Sequence, residues 1–167
     1  MGAKPYWYFF EYQLDINSAL QALRQREFEA GRYFPVMDLF FPVYPINENS
    51  PAPGAKHPSI DSAREDAAEE GTHSILDIDR VSEVPESCAT TPLSTDELIS
   101  LLGTDKPTHE LIESILIGEE ELDFWEETGF DVYESFWDTI QRGECRHIFA
   151  YRGEEPTEIF FVGFSFD

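Results

Sequence analysis

Apolar and polar positions recur with different periods along this chain, and those periods predict its elements. Residues 6–12 read Tyr-Trp-Tyr-Phe-Phe-Glu-Tyr. Aromatics at this density favour a strand, buried on both faces over part of its length. Over residues 15–30 the apolar positions Ile16, Ala19, Leu20, Leu23 and Phe28 keep near-helical spacing, with Asp15 or Asn17 to cap and Gly31 to stop the helix. Residues 33–44 are apolar but hold Pro35 and Pro42, which suits an extended segment or edge strand and not a central one. Residues 45–58 contain Pro45, Pro51, Pro53, Gly54 and Pro58 and read as a mobile loop. Trimming residues 47–54 is expected to cost little stability.

The pattern then turns polar. Residues 59–70 predict a short helix with Ile60, Ala63 and Ala67 as its thin apolar stripe, ended by Gly71. Residues 72–79 alternate in part and predict a strand, and residues 81–92 read as irregular. Ser94-Thr95-Asp96-Glu97 is a capping box, opening a helix that Gly103 stops. Residues 109–117 predict another helix, with Leu111, Ile112, Ile115 and Leu116 buried. Val132, Phe136 and Ile140 step by four, giving a helical stripe before Gly143. Residues 146–166 carry the strongest strand signal. Two runs flank the turn residues 152–156, and the second places Ile159, Phe161 and Gly163 on one face, Phe160, Val162, Phe164 and Phe166 on the other. The expected fold is α+β: one domain over residues 1–167, with a mixed or antiparallel sheet built from the N-terminal strand and the C-terminal hairpin. Helices pack on that sheet, covering one face.

Composition supports a packed core. Apolar residues make up 41 % of the chain and aromatics 14 %, enough that wholesale disorder is not expected. Charge changes the picture more. Eleven basic against 34 acidic residues give a net charge of −23. That argues against phosphate-backbone binding, which needs clustered Lys and Arg, and equally against anionic membrane surfaces. No apolar run is long enough to span a bilayer, and residues 1–10 lack the apolar core and cleavage site of a signal peptide, so a cytoplasmic location is expected. Cys88 and Cys145 are too sparse for a disulfide scaffold and are expected as thiols.

The chemistry-bearing patterns are few. Between Lys106 and Arg142 there is neither lysine nor arginine and there are eleven carboxylates, interleaved with Phe124, Trp125, Phe130, Tyr133, Phe136 and Trp137. Carboxylates beside aromatics suit a basic partner, through charge and cation–π contact; the competing reading is a solvated helix face above core aromatics. The candidate binding residues are Glu119, Glu120, Glu121, Asp123, Trp125, Glu126, Glu127 and Tyr133. No catalytic residue, metal site or cofactor is assigned. His57, His73, His109 and His147 lack ligand spacing, and neither cysteine sits in a Cys-x-x-Cys. Asp77 and Asp79 would share one face of the strand expected there, roughly 7 Å apart, a spacing open to acid–base work but commoner as a polar strand face. The leading expectation is a non-enzymatic, inhibitor- or immunity-like protein that binds a basic protein. The alternatives are a small carboxylate- and histidine-dependent hydrolase or metal enzyme, and an acidic regulatory or scaffolding domain whose charge serves solubility. Acidic inhibitors of basic toxins share this charge balance, a likeness of charge only.

Overall fold

A computed structural model describes residues 3–37, 45–117 and 134–167. Strand β1 (Pro5–Glu11) is followed by helix α1 (Ile16–Ala30). Asp15 caps α1 by accepting the Asn17 N–H, and Gly31 ends it in the left-handed conformation. Helix α2 (Ile60–Ala67) continues into a 3₁₀ turn at Ala68–Glu70, and a second 3₁₀ turn spans Ile75–Asp77. Strands β2 (Arg80–Val81) and β3 (Ala89–Pro92) precede helix α3 (Thr95–Leu102), whose capping box is formed as the sequence predicts. Helix α4 (His109–Ile112) widens into a π turn at Glu113–Ile117. A helical turn follows at 134–137, and β4 (Cys145–Arg152) and β5 (Glu155–Phe164) form the closing hairpin.

The five strands form one mixed sheet in the order β1-β5-β4-β3-β2. β2, β3 and β4 pair in parallel, whereas β5 is antiparallel to both β4 and β1. Four strands therefore run one way and β5 alone runs back. The two ends of the chain meet in the sheet, with Tyr8 opposite Phe161 and Phe10 opposite Ile159.

Strand alternation separates two cores. Tyr6, Tyr8, Ile159 and Phe161 pack with Leu20, Leu23 and Ile75 on one face. Phe9, Ile148, Phe160 and Val162 pack with Leu102, Ile112, Leu116 and Phe136 on the other. The expected two faces of β5 are thus correct, but helical segments cover both faces of the sheet and not one. The aromatic runs require this, because both parities of β5 are apolar.

Two further expectations change. Residues 72–79 are not a strand: Thr72 bonds Asp77 through its N–H and hydroxyl at 2.9 Å each, closing the segment into a turn. Residues 81–92 are not wholly irregular, since Ala89–Pro92 is an interior strand of the sheet. Of residues 33–44, the described part forms a turn with a cis Phe34–Pro35 bond.

Residues 45–58 hold neither helix nor strand, as expected, but they are tied down. Gly54 and Ala55 donate to Ala30 and Glu29, at the end of α1. Ile46 is buried and bridges to Tyr6. The Glu48 carboxylate accepts the outward N–H of Phe9 at 3.2 Å, blocking the free edge of β1.

Candidate binding face

All eight candidate binding residues, Glu119, Glu120, Glu121, Asp123, Trp125, Glu126, Glu127 and Tyr133, fall in the segment 118–133 and lie outside the described residues. The flanks of the acidic stretch are described. On the N-terminal side Ile112, Leu116 and Ile117 are buried in the second core, so Glu110 and Glu113 face solvent. On the C-terminal side Phe136 and Ile140 enter the same core, and Glu134 and Asp138 face out. Helical spacing thus anchors each flank by its apolar side and presents carboxylates on the other. A shallow groove of about 350 Å³ separates α3 from the 134–139 turn, lined by Asp96, Glu97, Ser100, Leu101, Ser135 and Thr139. Trp137, next to it, is half-buried; its indole N–H donates to the Leu116 carbonyl at 2.8 Å and its ring meets Trp7 and Phe164 edge-on.

Most of the scarce cations are already engaged by the chain itself. Arg26 and Arg32 both grip the fully buried Glu27, at 2.8 and 2.7 Å. Arg64 and Arg80 pair with Asp79, Arg80 also with Glu86, and Lys106 with Glu154. Arg142 meets Asp167, and Arg146 reaches Glu97. Arg24 is buried and donates to the Leu76 carbonyl and to Gln21. The uncompensated charge on the outside is therefore carboxylate, and its field attracts cations over about a Debye length, 8 Å at physiological salt.

The titratable residues weighed for acid–base, thiol or metal chemistry do not converge. Asp77 is buried, its oxygens taken by Thr72, while Asp79 sits at the surface against Arg64 and Arg80. Burial raises the Asp77 carboxyl to about 6, against the opposing bonds from Thr72. His147 is buried and bonded to Thr90 at 2.8 Å; burial, with Arg146 beside it, lowers it to about 4, so it is neutral at physiological pH. His73 lies by Glu70 and the Phe34 ring. Cys145 is a buried thiol pushed up to about 12, and Cys88 is also free. Among the described residues no group of three or more His, Cys, Asp or Glu could hold a metal ion.

Two polar constellations escape the sequence reading. The His57 ring links the Tyr33 hydroxyl, at 2.8 Å, to the Asp66 carboxylate, at 2.9 Å. Tyr33 also accepts the Lys56 N–H and is fully buried, so these bonds pin the 45–58 loop to α2. His109 stacks on Phe9 and lies between Glu158 and Glu113, at 2.7 and 3.4 Å. Partial burial opposes its charge, but the two carboxylates outweigh that and raise its pKa. The Tyr33–His57 and His109–Glu158 contacts join residues far apart in sequence, and only the His109–Glu113 pair, four residues apart, has a local spacing.

No described helix is long and apolar enough to cross a membrane. Comparison with protein-family models, with curated proteins and with solved structures finds no match.

Proposed function

We propose that this chain is a non-enzymatic, inhibitor-type binding protein that engages a basic protein in the cytoplasm. The observation that carries the reading is the partition of charge. The chain's cations are largely spent on its own carboxylates, and the acidic flanks at Glu110, Glu113, Glu134 and Asp138 point outward from a well-anchored core. Residues 119–127, with Trp125 and Tyr133, form the centre of the proposed face. Carboxylates accelerate encounter with a basic surface, and one or two aromatics supply residence time once contact is made.

The test is capture from the native host at low and at high salt, with the parent and with a variant carrying Gln at Glu119, Glu120, Glu121, Glu126 and Glu127. Recognition predicts a basic protein that the parent retains at low salt and the variant does not. Equal recovery of the same proteins by both would leave the charge as a solubility device.

A further inference from the structure

A gap in the sheet points to where an extended segment of that partner docks. Strand β3 ends at Pro92, which lacks an N–H, and the capping box at Ser94 turns the chain at once into α3. Arg146 fixes that turn by donating to the carbonyls of Thr91 and Pro92 and to Glu97. β4 runs on past this point. Its even-numbered residues face β5, as the Phe164 N–H bond to the Glu144 carbonyl shows; its odd-numbered residues face the β3 side. On that side the His147 carbonyl accepts the Leu93 N–H at 3.3 Å, and the Tyr151 N–H donates to Pro107 at 2.8 Å. Between these bonds lie the N–H and carbonyl of Phe149, and no described residue bonds either of them.

The interval spans roughly 13 Å along the strand at the usual rise. It opens into a slot of about 250 Å³, with Leu93 at one end, Asp105 and Lys106 at the other, and Thr95 and Leu98 of α3 above. That is small for a drug-like ligand, whose pockets begin near roughly 300 Å³. In an antiparallel pair, one residue exchanges both of its backbone bonds with the residue opposite. Phe149 offers that donor and acceptor, so the matching ligand is a single residue of an extended peptide.

We propose that the slot binds an extended, positively charged peptide segment by strand addition to Phe149. The charge of the occupant rests on the function proposed above, and the rim agrees with it. Asp105, on the lining, is exposed, and Lys106 beside it is held by the outlying Glu154, 84 % exposed, at 2.8 Å. In a chain of net charge −23, a lysine or arginine at that end of the bound segment meets the Asp105 carboxylate.

The test uses the ¹⁵N-labelled full chain and three capped peptides: acetyl-Lys-Val-Lys-amide, the same peptide with an N-methylated valine, and acetyl-Glu-Val-Glu-amide. The lysine peptide should shift the Phe149 amide saturably. N-methylation removes the donor that meets the Phe149 carbonyl and should weaken binding about tenfold, equivalent to about 1.4 kcal/mol. Thr95→Trp, which fills the slot from an exposed position, should abolish the shift. If that variant does not fold, the N-methyl comparison on the parent decides alone. An unmoved Phe149 amide, or equal binding of the N-methylated peptide, overturns the slot. Salt-sensitive shifts confined to residues 110–117 and 134–138 would also overturn it while leaving the acidic-face reading standing. Equal binding of the glutamate peptide overturns the basic occupant.

Discussion

Asp77 shows how one residue can shape the pH response of the whole fold. Its carboxyl has a folded value of about 6 against an ordinary 3.8, because burial penalises the anion more than Thr72 rewards it. A raised folded value means a contribution to stability that is complete below about pH 4 and lost as pH rises through about 6. At about 1.4 kcal/mol per unit the swing is roughly 3 kcal/mol. His147 acts in the opposite sense. Its value falls from 6.5 to about 4, so its contribution is complete above 6.5 and lost as pH falls through 4. The two windows overlap and mask each other in the parent. Asp77→Asn should unmask them: its stability relative to the parent should rise by about 3 kcal/mol between pH 4 and 7. Chemical denaturation of both proteins across that range measures it, and a pH-independent difference would remove Asp77 from the titration.

At the scale of elements, two helix stops make a controlled pair. Gly31 and Gly103 both end helices with φ near +77°, but their surroundings differ. A Cβ at Gly103 meets open space, whereas one at Gly31 runs into the Gly54 backbone carbonyl. Gly103→Ala should cost about 1 kcal/mol, from backbone strain alone. Gly31→Ala should cost clearly more, because the 45–58 loop must also move; urea midpoints compare them directly. The same packing revises the expectation for the loop. Deleting residues 47–54 should destabilise the fold appreciably, since it removes the bonds to Ala30 and Phe9. A variant that melts with the parent would show those bonds to be idle. Phe161→Ala, at a fully buried position of the hairpin, should cost about 3–5 kcal/mol in thermal or denaturant melts.

These elements also mark what the sequence made legible. The hairpin, its two faces, α1 and the capping box at Ser94 are written in local spacing, so they could be read directly. β2 and β3 could not, being two and four residues long and paired in parallel through contacts remote in sequence. Residues 72–79 mimic a strand because Asp77, polar by type, is buried by its bonds to Thr72, a fact no alternation rule sees. Of the candidate face, the charge excess was legible from composition and the outward aim of its flanks from helical spacing. The slot at Phe149 was not, because it exists only where β3 stops beside a longer β4.

For the whole molecule, the central claim is that a charge of −23 serves recognition. Like charges on one surface repel, so replacing five of them should leave stability unchanged or raise it. The decisive quantity is therefore kinetic. With a captured basic partner in hand, the association rate constant should be measured across ionic strength for the parent and for the variant bearing Gln at Glu119, Glu120, Glu121, Glu126 and Glu127. Recognition by these carboxylates predicts slower association of the variant at low salt, with the two rates converging as salt screens the field. Identical rates for parent and variant at every ionic strength would contradict it.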